Sequence, residues 1–322
     1  MLLMLRAAFG CLVAALVAAA PASAEDYPSR PVKIVFPLAA GGGGDVFSRA
    51  LADQLQKEWH QPVIVENRPG GGQNIGARAC AESPPDGYTI CVMSSEPAVY
   101  NEFLYKSIPY NPEKDFQPIA NLFFNTLAVV ASPELHVKTL GELLALAKSK
   151  PGTLSYATFS YPLTYFMEKL KKTEGIDIVK VPYRGGGDVV NALLGGTTQV
   201  ALLALSNMVP QLQSGRIVPL AVVANGRSPL FPDVPTLKEA RGEHYPPTWF
   251  GLFTQAGVPR PIVDKIARDV DRIMAQPDFR QRIYIERGVE PAMERTDEFA
   301  RFIADERKFA ERIVKESGEQ PK

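Results

Sequence analysis

The sequence predicts an α/β protein in which two domains enclose a cleft. Short β-rich runs alternate with amphipathic helical runs up to residue 93, and the same alternation restarts near residue 127. A glycine-rich segment follows a predicted strand in each half. Because a β-α-β order builds parallel strands with right-handed crossovers, each half predicts a central, mainly parallel sheet flanked by helices. We assign residues 25–125 and 249–322 to the first domain and residues 126–248 to the second.

The N-terminus has the pattern of a secretory signal peptide. Arg6 is the only charged residue among the first 24, an apolar run follows it over residues 7–20, and Ala-Ser-Ala stands at 22–24. A basic start, a short apolar run and small residues at the end are typical of a cleaved signal. A membrane anchor is the alternative, but spanning a bilayer takes about 20 apolar residues, and Pro21 interrupts this shorter run. We expect cleavage before Glu25 and export of the rest.

Composition and charge exclude several classes of function. The chain has 35 basic and 35 acidic side chains and no basic stripe, so we expect no nucleic-acid partner. His60, His136 and His244 lie far apart without acidic or cysteine neighbours at ligand spacing, so no metal site is predicted. Beyond the signal, Cys80 and Cys91 form either a disulfide in an oxidising compartment or two buried thiols on separate elements.

The first half reads as three strands separated by two helices. The predicted strands span residues 32–36, 63–65 and 88–93, and the helices start at a cap residue, Asp45, and near residue 75. A turn at 84–87 precedes the third strand.

The second half repeats the alternation and ends in two long helices. Predicted strands lie at 127–131, 154–157, 178–181, 200–203, 220–223 and 249–254, and predicted helices at 139–149, 165–173 and 189–194. The last two helices are amphipathic, and the final one is predicted to start at Thr296 as its N-cap. The strand at 249–254 returns the chain to the first domain, which predicts two crossings and a hinge.

Glycine-rich loops after two strands point to a small anion. Glycines at 41–44, and at 185–187 after Arg184, let backbone N–H groups approach a ligand at a helix N-terminus. Asp188 is the predicted cap of the second helix. Each loop could equally be a tight turn, and Arg184 could meet a carboxylate or lie at the surface. Neither loop matches a nucleotide-binding motif.

Polar residues at two strand ends are further candidates, and catalytic groups are not evident. Ser94 and Ser95 follow one strand, and Ser206 and Asn207 another; they could bind ligand oxygens or cap helices. The sequence has no G-x-S-x-G elbow, no Cys–His pair and no clustered carboxylates. We therefore predict a protein that is not an enzyme and has no cofactor.

Spaced motifs over nearly the whole mature chain resemble one family. They read YPSRP at 27–31, PLAAGG at 37–42, VENRPGGG at 65–72, PDGYT at 85–89, DFQPI at 115–119, VPYRGG at 181–186, DVPT at 233–236 and WFGL at 249–252. Their order resembles the Bug family, the TctC-like extracytoplasmic receptors of tripartite tricarboxylate transporters.

The resemblance implies a type II-like periplasmic binding-protein fold that closes on a small carboxylate. It also implies a periplasmic monomer that delivers its ligand to the integral membrane permease subunits. In the family, two loops hold the carboxylate largely through backbone N–H groups and water. The ligand-binding residues expected here are Ala39, Ala40, Gly41, Gly42, Gly43, Gly44, Asp45, Ser94, Ser95, Thr158, Phe159, Ser160, Tyr161, Thr164, Arg184, Gly185, Gly186, Ser206 and Asn207.

The second of these loops departs from the family pattern. Residues 158–165 carry three aromatic side chains and a proline where small residues are usual, which adds apolar bulk. We expect a pocket for an apolar or aromatic acid, or for a ligand held by hydroxyl groups. The competing functions are a sensor protein that presents its ligand to a two-component kinase and a secreted α/β enzyme.

Overall fold

The computed structural model describes residues 27–224, 226–243, 245, 247–292 and 294–322. The predicted signal peptide and His244 lie outside the described residues. No helix in these ranges is long and apolar enough to cross a membrane.

Eleven strands form in the described ranges. They are β1 Val32–Phe36, β2 Val63–Asn67, β3 Thr89–Ser94, β4 Phe116–Asn125, β5 Leu127–Ala131, β6 Ser155–Thr158, β7 Val179–Pro182, β8 Val200–Ala204, β9 Val218–Val223, β10 Thr248–Gln255 and β11 Val289–Pro291. They build two sheets, a six-stranded one in the order β11-β4-β10-β3-β1-β2 and a five-stranded one in the order β7-β6-β8-β5-β9.

Helices flank both sheets. They are α1 Gly43–Trp59, α2 Asn74–Ala81, α3 Asn101–Leu104, α4 Leu140–Ser149, α5 Tyr161–Glu174, α6 Gly186–Leu194, α7 Val209–Gln213, α8 Leu237–Arg241, α9 Arg260–Ala275, α10 Pro277–Phe279 and α11 Thr296–Ser317. A π-helical turn, Glu96–Tyr100, joins the end of β3 to α3.

The sheets are mixed, with the predicted β-α-β units at their centres. Strand β1 pairs in parallel with β2 and β3, and β6 with β7 and β8. The strands next to the crossings run antiparallel to their neighbours. Strand β10 pairs antiparallel with β3 and β4, and β5 pairs antiparallel with β8 and β9. The prediction of mainly parallel sheets is therefore right for the β-α-β units and incomplete for the strands that the crossings add. Sequence reasoning also missed β4 and β11.

The chain passes between the sheets twice. One crossing is a single residue, Thr126, between β4 and β5, and the other runs from the end of β9 to the start of β10. These crossings lie next to the boundaries that we propose for the two domains, at 125/126 and 248/249.

Each sheet packs helices on both faces. On one face of the first sheet, Leu51 and Leu55 of α1 pack in one apolar cluster with Ile266 of α9. On the other face, Phe299 of α11 packs with Trp249. The second sheet has two apolar clusters of its own. Each sheet therefore has its own apolar clusters, and Tyr161 at the start of α5 joins one of those of the first sheet.

Several helices begin elsewhere than predicted. Gly42 and Gly185 are the N-cap residues of α1 and α6, while Asp45 and Asp188 lie inside the first turns. Asp45 is the third residue of the helix rather than its cap, and its carboxylate reaches back to accept a hydrogen bond from the Gly41 N–H at 3.0 Å.

Two later helix starts also differ from the prediction. The N-cap of α11 is Arg295 rather than Thr296. Helix α5 starts at Tyr161, four residues before the predicted 165, because Ser160 is extended and Pro162 suits the first turn.

The structure pairs Cys80 with Cys91 in a disulfide, with a sequence separation of 11 and both residues fully buried. Closing a loop of this length stabilises a protein by about 2–3 kcal/mol.

We expect the Cys80→Ala/Cys91→Ala variant to lose about that much unfolding free energy in urea titrations. Reducing the wild-type protein should cause a similar loss. Two free thiols in denatured, unreduced mature protein would contradict the pairing.

Candidate functional site

A cavity lies between the two domains, where strands of both sheets end. Its walls are largely apolar and come from Phe36, Leu38, Ala39, Leu127, Phe159, Pro162, Leu163, Ala204, Trp249 and Phe250. Its polar lining consists of Gln73, Ser94, Ser95, Glu96, Asn125, Ser160, Ser206, Asn207 and Thr248, with glycines 42–44 and 186. Small-molecule sites are typically mostly apolar with a few placed polar groups, and this lining has that character.

The two glycine-rich loops touch each other across the cleft. A Cβ atom on Gly185 would lie 3.3 Å from the Cβ of Ala39, and one on Gly187 would lie 3.2 Å from the carbonyl oxygen of Ala40. The absence of side chains therefore lets the loop before α6 lie directly on the loop before α1. The domains are closed against each other at this point.

Asn207 of the second domain caps helix α1 of the first. Its Oδ1 accepts a hydrogen bond from the Gly43 N–H at 2.8 Å, and its Nδ2 donates to the Ala204 carbonyl at 3.2 Å. The first N–H groups of a helix have no partner within the helix, so this contact satisfies one of them. Next to it, the Ser206 Oγ is buried and has no hydrogen-bond partner in the part of the chain that the structure describes.

Glu96 makes the reciprocal contact, from the first domain to helix α5 of the second. Its Oε1 accepts from the Tyr161 N–H at 2.9 Å, and its Oε2 accepts from the Gln73 Nε2 at 2.6 Å. Gln73 is itself held by the Ser94 Oγ, which donates to the Gln73 Oε1 at 2.8 Å. Glu96 is thereby fixed between the domains at the wall of the cavity.

The environment of Glu96 disfavours its charged form. Burial raises the pKa of this carboxyl to about 7, although the hydrogen bonds from the Tyr161 N–H and Gln73 and the charge of Lys322 act in the opposite direction. Among the described residues that line the cavity, Glu96 is the only acidic side chain, and none is Lys, Arg or His. Desolvation therefore outweighs the favourable contacts.

The cavity brings together eleven of the residues expected from the sequence. They are Ala39, Gly42, Gly43, Gly44, Ser94, Ser95, Phe159, Ser160, Gly186, Ser206 and Asn207. The others lie outside its lining. Ala40 and Gly185 belong to the contact between the glycine-rich loops, beside Gly41. Asp45 is buried behind that loop and accepts from Arg49 and Asn67.

The remaining expected residues face other surfaces. Thr158, Tyr161 and Thr164 line an adjoining groove, which shares Glu96, Phe159 and Ser160 with the cavity.

Arg184 does not line the cavity. Its side chain is 77% exposed and lies 3.6 Å from Asp188. Of the two roles that the sequence left open for Arg184, the structure places the residue at the surface.

Sequence reasoning missed most of the apolar wall, together with Gln73 and Glu96. A usable signal existed for Glu96, because it follows Ser94 and Ser95 directly at the end of β3, where ligand sites collect. No comparable signal existed for Gln73. Its backbone has a left-handed φ of 72°, which is uncommon outside glycine and which the sequence does not reveal.

Comparison with known proteins identifies the family. Residues 47–319 match the family described as the tripartite tricarboxylate transporter family receptor, TctC. The protein BugT of Bordetella pertussis is 32% identical, over 98% of this chain and 97% of its own length. The chain therefore belongs to this receptor family, and the Bug-family resemblance of its motifs is confirmed.

Two solved structures share the fold. Rpa4515 of R. palustris, solved with adipate, is 27% identical, covers 92% of this chain and all of its own, and superposes with a TM-score of 0.88. MatC (Rpa3494) from Rhodopseudomonas palustris, with bound malate, is 29% identical over 89% of this chain and 100% of its own, with a TM-score of 0.83. The chain has the fold of a periplasmic binding protein, and the family is one of solute-binding receptors.

The raised pKa of Glu96 predicts a pH-dependent stability. Folding favours the protonated acid of Glu96. Its contribution to the unfolding free energy is therefore complete below the ordinary pKa of glutamate and is lost as the pH rises through 7. Glu96→Gln keeps the shape and removes the titration. Between pH 5 and pH 8, we expect the unfolding free energy of the wild type to fall by about 2 kcal/mol relative to this variant.

Urea unfolding at several pH values checks this expectation, with Glu311→Gln, a change at an exposed glutamate, as the control. The control should follow the wild type. A constant difference between wild type and Glu96→Gln across this range would show that Glu96 does not titrate as described.

Proposed function

We propose that the chain is an exported, periplasmic solute receptor that captures a small organic carboxylate between its domains. It then delivers the carboxylate to the membrane permease of a tripartite tricarboxylate-type transporter. On this proposal the chain is not an enzyme, and residues 1–24 are removed as a signal peptide.

The observation that carries the proposal is the convergence of the N-termini of α1 and α6 on one cavity, beside the start of α5, which Glu96 caps. Gly42–44 precede and begin α1, Ser160 precedes α5, and Gly186 begins α6. N-terminal N–H groups and the helix dipole favour an anion, and the glycines expose this backbone. An anionic ligand can therefore be held without a cationic side chain.

The relatives support a carboxylate as that anion. The two R. palustris structures hold adipate and malate, and both molecules are carboxylates. The walls of this cavity favour a ligand with an apolar or aromatic body, because four large aromatic side chains line it: Phe36, Phe159, Trp249 and Phe250.

Closure supplies the mechanism of capture. The Asn207–Gly43 and Glu96–Tyr161 hydrogen bonds both join one domain to the other, so they exist only when the cleft is closed. A ligand that contacts both domains adds further interactions to this closed state alone. Its binding therefore shifts the population toward the form that a permease can distinguish from the empty, open receptor.

Export is supported by two features. The N-terminus has the signal-peptide pattern, and the buried Cys80–Cys91 disulfide suits an oxidising compartment such as the periplasm.

A thermal-shift screen of the mature protein tests the capture of a carboxylate. The panel holds monocarboxylates, dicarboxylates, tricarboxylates, aromatic acids and amino acids, each beside the amide of the same acid. A ligand at 100 times its Kd stabilises by about 2.7 kcal/mol, so we expect at least one acid to raise the Tm by several degrees. Its amide should not. The proposal fails if no acid shifts the Tm, or if acids and amides do so equally.

Substituting Gly42 tests whether the cavity loops must meet. Its φ of −79° suits any residue, and its Cβ would point between the domains, 3.1 Å from Asn207 Oδ1 and 3.7 Å from Gly187 N. We expect Gly42→Leu to fold and to lose the Tm shift caused by the acid found in the screen, because the loops cannot close.

The matched control is Gly141→Leu. Gly141 is exposed, and only the Thr139 Oγ1, at 3.9 Å, lies near its Cβ position. This variant should keep the full shift. An unchanged shift in Gly42→Leu would exclude the glycine-rich loop from binding.

A further inference from the structure

We propose that Glu96 recognises a positively charged hydrogen-bond donor on the ligand, so that the cavity selects a zwitterion with an apolar body over a dicarboxylate. The inference rests on the proposed function, which supplies one carboxylate on the ligand. It concerns the chemical group at the opposite end of that ligand. An ω-amino acid or an aromatic acid with an aminomethyl group has this chemistry.

The charges of the lining argue against a second carboxylate on the ligand. Glu96 is the one ionisable side chain among the described lining residues, and no cationic side chain joins it there. A dicarboxylate would bring a like charge toward Glu96 in a site of low dielectric, where such repulsion is strong. An ammonium group in the same place would instead supply the counter-charge that the lining lacks.

The two ends of the cavity differ in their electrostatic character. At one end are the N-termini of α1 and α6, where Gly44 and Gly186 line the wall beside the buried Ser206 Oγ, which has no partner among the described residues. At the other end, Glu96 already occupies the N-terminus of α5 through the Tyr161 N–H. We place the ligand carboxylate at the first end, because the acid nearest to it, Asp45, is buried behind the loop and does not line the cavity, whereas Glu96 lines the second end.

Glu96 has room for a further hydrogen bond. Each carboxylate oxygen can accept two, and Oε1 and Oε2 accept one each, from Tyr161 and Gln73. Gln73 is buried and holds its left-handed backbone conformation while its amide bridges Ser94 and Glu96. Strained residues of this kind occur where a side chain must be positioned, and here the positioned group is the Glu96 carboxyl.

The raised pKa of Glu96 agrees with this role. Burial is the largest cause of the shift, and it outweighs the opposing charge of Lys322, which lines the adjoining groove rather than the cavity. A ligand ammonium within hydrogen-bond distance would favour the ionised carboxylate and form a charge-assisted hydrogen bond.

A purely mechanical role is the competing explanation. Glu96 joins the domains through Tyr161, and a latch of this kind would strengthen the closed state for every ligand alike. The two explanations differ in selectivity: recognition changes the ratio of two affinities, whereas a latch changes both affinities by the same factor.

Calorimetry with matched ligand pairs separates them. The probes are succinate against 4-aminobutanoate, adipate against 6-aminohexanoate, and terephthalate against 4-(aminomethyl)benzoate, at pH 8. Within a pair, one carboxylate is replaced by an aminomethyl group at nearly constant shape. We expect the wild type to bind the amino acid of at least one pair about tenfold or more tightly than its diacid.

The variants then assign the preference to Glu96. We expect Glu96→Gln to bring the ratio of the two affinities within about threefold of unity, whereas the exposed control Glu311→Gln should keep the wild-type ratio. The wild-type ratio needs no variant, so it decides the ligand class even if Glu96→Gln does not fold.

Three results would overturn the inference. They are a wild type that binds the diacids as tightly as the amino acids, a Glu96→Gln variant that weakens both members of a pair equally, and a wild type that binds none of the six. If another acid from the thermal-shift panel binds in the last case, the proposed function stands and only the assignment of Glu96 fails. If no acid binds in either experiment, the proposed function fails as well.

Discussion

The closed form of this protein depends on one constraint: the N–H groups at the helix starts that face the cleft must find acceptors when the domains meet. A buried N–H group without an acceptor costs about 1–3 kcal/mol. The chain meets this constraint reciprocally, because Asn207 of the second domain caps α1 and Glu96 of the first domain caps α5. Each domain thus completes a helix of the other.

The same constraint explains why these loops are so rich in glycine. A Cβ atom at Gly186 would overlap the Asn207 amide, and one at Gly43 would overlap the Ser206 hydroxyl. The cap on α1 therefore requires residues without side chains both in α1, which receives the cap, and in the neighbouring α6. Glycine at these sites serves close approach rather than an unusual φ, and the walls of the cavity follow from that approach.

What the sequence could predict depended on local patterns. Strand and helix alternation, the two glycine-rich loops and the motif order each lie within short segments, so the fold class and the family could be predicted from the sequence alone. The antiparallel pairing of β10, the exposed position of Arg184 and the burial of Glu96 depend on how distant segments meet. Arg184 shows the limit best, since it stands in a site loop, yet its side chain turns outward to Asp188.

The main chain and the side chains of this site serve different parts of a ligand. Helix N-termini can bind an anion through the main chain whatever side chains surround them, and the relatives that hold adipate and malate are only 27–29% identical to this chain. The far end of the ligand meets side chains, which are free to vary. In this chain that end carries a buried carboxyl held by Gln73 and by the Tyr161 N–H. On the proposed assignment of Glu96, a ligand with one charge of each sign satisfies both ends of the cavity.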